Sequence, residues 1–238
     1  MIELKHIMKS YKKLLALADF SYSFENENAY GILGVNGAGK STLINCITKN
    51  ISFQGELKFV DLSIWEIGYV PQELAIYPEL SVLDNLLFFA STYKMEKKYA
   101  RERSLELIEK VGLKEKISTM AKDLSGGMKR KLNLITALVH GPKLLICDEV
   151  CVGIDPISRN EILEYLKELK NEGLNIIYTS HYLDEVEFLC NKIIFLNKGK
   201  LILEGDTKEL IAKMSEVTHE KSNLSDLFMQ VLRGGEYA

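Results

Sequence analysis

No apolar run in these 238 residues approaches eighteen, so nothing in the sequence reads as a bilayer-spanning helix. Cysteine is sparse and scattered, at Cys46, Cys147, Cys151 and Cys190. Three of the four fall in apolar helix or strand patterns and read as small core residues. They make neither a disulfide framework nor a zinc-ligand spacing, and the compartment expected from them is a reducing cytosol. Basic charge is not in excess: 30 Lys and Arg face 33 Asp and Glu, a formal net charge of −3. That balance argues against a dedicated nucleic-acid binder, and no nucleic-acid partner is expected. There is no internal repeat and no low-complexity tract. The opening Met1-Ile2-Glu3-Leu4-Lys5 alternates like a strand and lacks the shape of a signal peptide. What the chain does have is 47% hydrophobic residues, enough for a sizeable core at a length near the upper range of one compact domain.

The most informative stretch is Gly34-Val35-Asn36-Gly37-Ala38-Gly39-Lys40-Ser41-Thr42. It has the form G-x-x-x-x-G-K-S of a phosphate-binding loop. The apolar run Ala29–Leu33 before it reads as a buried strand, and Leu43, Ile44 and Ile47 after it have helical spacing. Strand, Gly-rich loop and helix is the setting this chemistry needs. Glycines let the backbone curl so that several N–H groups face one anion, and the helix adds the positive end of its dipole. Lys40 is expected to reach the β- and γ-phosphates, and the Ser41 hydroxyl to ligate Mg²⁺.

Leu144-Leu145-Ile146-Cys147-Asp148-Glu149 follows the turn signal Gly141-Pro142 and reads as a short buried strand ending in two carboxylates. Alone, it reads more readily as a strand running into a solvated acidic turn. Beside a phosphate loop, it matches the rule that ligands sit beyond the carboxyl ends of parallel strands. Asp148 is then expected at the metal, and Glu149 as the general base for the attacking water. In Leu124-Ser125-Gly126-Gly127, Ser125 is a good N-cap, and Met128, Leu132, Ile135 and Val139 follow as an apolar stripe. On physics alone this is an ordinary capped helix at least as readily as a second anion site. Lys129-Arg130-Lys131 suits a solvated face of that helix.

Taken together, these residues resemble the ATP-binding subunit of ABC transporters, from Ile2 to about Leu210 and in the family's order. Leu124-Ser125-Gly126-Gly127 looks like the family signature. Gly68-Tyr69-Val70-Pro71-Gln72 looks like the loop whose glutamine touches Mg²⁺ and senses the membrane partner. Gly153-Ile154-Asp155-Pro156 looks like the loop that crosses the dimer interface. Tyr178-Thr179-Ser180-His181 looks like the strand ending in the switch histidine, a γ-phosphate contact. Tyr11 matches the aromatic that stacks on adenine. The run from Met128 to Leu138, His181-Tyr182-Leu183-Asp184-Glu185-Val186, and the later Gly199-Lys200 and Glu204-Gly205 resemble exporters of the ABC-2 type.

The resemblance implies an α/β fold: a P-loop NTPase core with a mostly parallel sheet, an antiparallel β-subdomain and an inserted helical subdomain. The expected partition is 1–72 and 140–214 for the ATP-binding core with its β-subdomain, about 73–139 for the helical subdomain with the signature, and 215–238 for a C-terminal tail. The short Gly55–Gly68 segment predicts a trimmed β-subdomain, lacking a hairpin. After Glu149 the family commonly has Pro and then Ser or Thr; here stand Val150 and Cys151, and the turn toward Asp155 loses the fixed φ of proline. The tail carries a weak stripe of Leu224, Leu227, Phe228 and Val231, suited to packing on the domain or on a second copy.

The function implied is ATP hydrolysis, with ATP and Mg²⁺, in a head-to-tail dimer with a second copy or a paralogous subunit. A separate permease would supply the membrane domain and hold the chain at the cytoplasmic face. Ser125, Gly126 and Gly127 of one copy would close on the γ-phosphate held by the other. A soluble ATP clamp is the alternative of a different class. However, the gap between loop and signature holds no long coiled coil, and the chain holds one cassette rather than two. A GTPase would want N-K-x-D, and both Asn191-Lys192 and Asn197-Lys198 lack the Asp. An ATPase serving a membrane sensor or immunity complex would carry the same residues.

Overall fold

A computed structural model describes residues 1–12, 14–26, 29–219 and 221–233. Residues 234–238 of the expected tail, with 13, 27–28 and 220, lie outside the described residues. In chain order the elements are β1 (Ile2–Tyr11), β2 (Leu14–Phe24), β3 (Ala29–Leu33), α1 (Lys40–Ile47), β4 (Gln54–Phe59), β5 (Ile67–Val70), α2 (Val82–Thr92), α3 (Lys97–Lys110), α4 (Gly126–Thr136), β6 (Leu144–Asp148), α5 (Pro156–Asn171), β7 (Asn175–Thr179), α6 (Leu183–Leu189), β8 (Lys192–Asn197), β9 (Lys200–Asp206), α7 (Thr207–Thr218) and α8 (Leu224–Leu232). They group into two compact units, Met1–Asp61 with Ile177–Ala238, and Leu62–Ile176. This division cuts across the partition read from the sequence. β6 and α5 go with the helical segment, because β6 pairs with β5 and α5 packs on α4. No helix among the described residues is long and apolar enough to cross a membrane.

In the first unit β2, β1 and β4 form an antiparallel sheet in the order β2-β1-β4. Ile2, Leu4 and Ile7 of β1 and Leu17, Phe20 and Phe24 of β2 are among its buried positions. Between β4 and β5 the chain makes one 3-10 turn, Ile64–Glu66, where a hairpin would otherwise stand, as the short segment predicts. Phe24 packs edge-on against Tyr22 and Tyr30, with ring centroids 4.9 and 5.0 Å apart. The buried Phe24 and Tyr30 side chains each contribute about 1.5–3 kcal/mol. The second sheet of this unit has the order β7-β3-β8-β9. β3 and β8 are parallel, with Leu33 opposite Phe195, and β8 and β9 are antiparallel. β3 is buried along its whole length, as expected of a strand covered on both faces.

α8 packs on α6 and α7 in this same unit. Leu224 and Leu227 are buried, and the Phe228 ring lies 5.5 Å from that of Phe195. The helix begins with a capping box between Asn223 and Asp226, and the Leu224 N–H donates to the Glu187 carboxylate on α6 at 3.0 Å. The stripe read in the tail therefore docks on its own domain. The polar stretch from Ser215 is not tail at all, since α7 runs on through Thr218.

In the second unit β5, β6 and β7 lie in that order, with Ile67 opposite Leu144 in the parallel β5–β6 pair. α2 is capped by Ser81 and buries Val82, Leu83, Leu86 and Ala90 on one face. The buried Asn85 side chain holds the approach to this helix. It accepts the Tyr77 N–H at 2.8 Å and donates to the carbonyls of Tyr77, Leu80 and Ser81. A buried amide so fully satisfied rigidifies a loop that has no regular secondary structure. α3 ends at Lys110, with Val111 as its C-cap and Gly112 following at φ 72°. Val150 and Cys151, where the family pattern has proline and a hydroxyl, are both buried.

Candidate functional site

The residues singled out in the sequence divide between the two units. Tyr11, Gly34–Thr42 and His181 belong to the first; Gln72, Ser125–Gly127, Asp148, Glu149 and Asp155 belong to the second.

In the first unit the loop leaves β3 at Gly34 and enters α1 at Lys40. Gly39 is the N-cap, with φ 110°, and no side chain caps the helix. A Cβ at Gly39 would stand 2.6 Å from the Ala16 carbonyl oxygen, so both the backbone angle and the close approach demand glycine. The first-turn amides carry no intrahelical bond, which leaves the amino end of α1 suited to an anion. Lys40, only 6% exposed, curls back to donate from Nζ to the Gly34 carbonyl at 2.8 Å. Ser41 is exposed beside it. Tyr11, the last residue of β1, is 44% exposed.

The loop is braced by the hairpin between β8 and β9. Lys198 and Gly199 join β8 to β9 with φ 48° and 76°, the double positive φ of the tight turn that suits twisted strands. The Gly199 N–H donates to the Ala38 carbonyl at 2.9 Å, and its carbonyl accepts the Ala18 N–H at 3.0 Å. A strand pair after the loop thus sets the loop's back edge.

His181 follows β7 and is exposed. Its neighbours are held by the buried Glu185 carboxylate, which accepts the Tyr178 hydroxyl at 2.7 Å and the Ser180 hydroxyl. The Tyr182 N–H in turn donates to Ser180 Oγ at 3.0 Å. In the sequence Glu185 is one of several acidic residues at a helix start, with nothing to mark its inward turn.

In the second unit β6 carries Asp148 and Glu149 out of the sheet at 5% and 6% exposure. Glu149 has a left-handed backbone, φ 52°, strain of a kind that collects at functional positions in other proteins. Burial, with the Asp148 charge nearby, pushes the Tyr69 hydroxyl up to about 12. Ser125 caps α4 by accepting the Met128 N–H at 3.3 Å. A Cβ at Gly126 would meet nothing within 4 Å, so the amino end of α4 opens to its surroundings. Asp155 caps α5 by accepting the Ile157 and Ser158 N–H groups at 3.1 and 3.0 Å. Those bonds, the one from Ser158 foremost, hold its carboxyl below the usual carboxylate range.

The basic run after the signature does not form a solvated face. Lys131 pairs with Glu161 at 2.7 Å, and Lys129 donates to the Lys122 carbonyl at 2.8 Å. Arg130, half-buried, sends one guanidinium nitrogen to the Gln72 carbonyl and the other to the Val152 carbonyl at 3.3 Å. Next to it the buried Asn133 accepts the Ala75 N–H at 2.9 Å. Asn133 was legible in principle as an amide inside an apolar run; Arg130 was hidden between two lysines.

The family model of the ABC transporter matches residues 17–152, more than half of the sequence. The chain belongs to the ABC transporter family. Among its relatives, the linearmycin resistance ATP-binding protein LnrL of Bacillus subtilis (strain 168) is 39% identical over 245 residues, covering 98% of this chain and 79% of LnrL. The Nod factor export ATP-binding protein I of Rhizobium etli is 32% identical, covering 90% of this chain and 70% of that protein. A solved ATP-binding subunit of an ABC transporter shares the fold with a TM-score of 0.85 at 24% identity, over 98% of this chain and 99% of that one. The ATP-binding cassette MJ0796, solved as a dimer in a post-hydrolysis state with ADP and Pi, matches with a TM-score of 0.77 at 25% identity, over 87% of this chain and 98% of that one. This ABC chain is accordingly an ATP-binding subunit and an ATPase, and its α/β architecture with an antiparallel subdomain is that of the P-loop cassettes.

Proposed function

We propose that this chain is the energy-coupling subunit of an ABC exporter, working as a head-to-tail ATP-sandwich dimer on a separate membrane subunit at the cytoplasmic face. The names of relatives that serve Nod factor export and linearmycin resistance support the direction, and the MJ0796 dimer supports the assembly. The observation that carries the reading is the open amino end of α4 at Gly126, which would present bare amides and a positive helix end to a phosphate held by another copy.

In this reading the Gly34–Thr42 loop and Lys40 bind the phosphates, and Tyr11 stacks on adenine. Glu149 takes the proton from the attacking water, and His181 contacts the γ-phosphate. Ser125, Gly126 and Gly127 close the site of the opposite copy, with Asp155 at the dimer contact. Ser41, Gln72 and Asp148 offer oxygen donors of the kind a hard cation takes. Among the described residues no cluster of three His, Cys, Asp or Glu forms a metal cage, which fits an ion held largely by substrate phosphates. Mg²⁺ so held would offset the phosphate charge. The permease helix would dock where Tyr77 and Phe88, both exposed, meet at 4.5 Å, a few residues along the chain from Gln72.

Glu149→Gln tests the chemistry and the assembly together. The amide cannot accept a proton, so turnover should fall more than ~100-fold while ATP binding persists. The variant should run as a dimer with ATP on size exclusion. A Glu149→Gln chain that hydrolyses ATP normally and stays monomeric would sink the assignment.

A further inference from the structure

We propose that Arg130 is a positioning residue that joins the Gln72 segment to the Glu149–Asp155 turn, so that displacement of one is carried to the other. The proposal rests on the reading of Gln72 as the partner-sensing residue and Glu149 as the base. Two main-chain carbonyls, of Gln72 and Val152, eighty residues apart in sequence, accept from the same guanidinium. The planar fork of arginine suits such a double contact, and its rigidity means that the two acceptors keep a fixed separation. Burial lowers the Arg130 pKa only against a very high starting value, so the charge stays and the bonds are charge-assisted.

The placement explains why the turn tolerates the loss of proline. Val150 leaves φ unrestricted where the family pattern restrains it. The turn is restrained instead from outside: Val150 and Cys151 are buried, the Val152 N–H donates to the Glu149 carbonyl at 3.2 Å, and the Val152 carbonyl is held by Arg130. Because the Val152 N–H is bonded to the Glu149 carbonyl, a displacement at Val152 is passed to the main chain that carries the Glu149 carboxylate. The Gln72 segment is fastened twice, by Arg130 and by Asn133 at Ala75, whereas the side-chain bond to the Val152 carbonyl comes from Arg130. Arg130 is thus a member of α4 that touches both segments. It lies four residues past Gly126, on the same helix whose amino end would meet the opposite nucleotide.

The test is amide hydrogen exchange on the full chain, with and without a non-hydrolysable ATP analogue, alongside steady-state ATPase. Arg130→Met should speed exchange several-fold in both 72–75 and 150–154, leave the KM for ATP within about twofold, and lower kcat about tenfold or more. Asn133→Ala should speed exchange in 72–75 alone. Arg130→Lys, a single point donor, should restore protection in one segment but not both. If Arg130→Met and Arg130→Lys both leave 150–154 protected as in the wild type, the brace does not exist and the proposal fails. It fails equally if Asn133→Ala loosens both segments, because the coupling would then lie in the helix as a whole. The exchange reading needs no turnover, so a chain that proved inactive would count against the assigned chemistry and leave the brace to be judged on protection alone.

Discussion

Gly127 lies so close to α5 that a Cβ placed on it would stand 2.1 Å from Ser158 Oγ. The second signature glycine is therefore a packing residue as well as a source of a bare amide. Gly127→Ala should destabilise the chain by about 1–3 kcal/mol, the usual cost of forcing extra volume into a filled contact. Adding Ser158→Gly removes the colliding group and should return most of that loss. Denaturant titrations of the two singles and the double variant measure the coupling, and a Gly127→Ala chain as stable as the wild type would show that α4 and α5 part freely.

Action across the dimer can be separated from action within one copy. Ser125→Arg should leave the ATP affinity of the isolated chain nearly unchanged and abolish turnover. Lys40→Ala should lose affinity, visible by calorimetry. Mixed together, the two dead variants form one intact composite site per heterodimer, and activity should recover in part. If heterodimers form and no activity returns, action in trans from a single intact site is wrong.

Tyr178 gives its hydroxyl to the buried Glu185 beside the histidine loop. Tyr178→Phe should lower stability by about 1 kcal/mol, the ordinary worth of one buried hydrogen bond. If the clamp also orients His181, kcat should fall with KM unchanged. An equal rise in KM would point to a binding defect instead.

His140 stacks flat on Tyr93, with centroids 3.8 Å apart, and neither ring nitrogen finds a hydrogen-bonding partner among the described residues. Burial, offset in part by the Ile67 main chain nearby, pushes its pKa down to about 4. A histidine whose folded pKa lies below its unfolded value binds its proton more readily when unfolded. Stability is therefore full above about pH 6.5 and drains away as the pH falls toward the folded value. Between pH 7 and pH 4 the wild type should lose about 1–3 kcal/mol more than His140→Phe, which keeps the stack and cannot titrate. Parallel pH slopes for the two chains would refute this.

The residues legible in sequence were those whose chemistry needs a fixed local spacing. The phosphate loop, the Ser125 cap and the acidic end of β6 each announce themselves within about ten residues, because strand, turn and helix signals lie next to the functional group. What stayed hidden acts at long range. Arg130 reads as one cation among three, and only the fold brings Gln72 and Val152 to it. Glu185 reads as a helix-start acid, the kind a dipole favours, and only the closure of β7 onto α6 turns it inward. The breaks between units fall after Asp61 and within β7, not at 72 and 139, since strand pairing, invisible in a linear pattern, groups β6 with its neighbours.

Two-residue hairpins at the surface are where protein engineers place tags, and the Lys198-Gly199 turn has that look. Its glycine is bonded on one side to Ala38 in the nucleotide loop and on the other to Ala18, and a Cβ there would come within 2.6 Å of the Ala16 carbonyl oxygen. A peptide spliced into this turn would lift the wall behind the phosphates. The tip of one hairpin, remote in sequence from the nucleotide loop, is thereby closed to insertion, and variation in chains of this design should favour the ends of α3 over this spot.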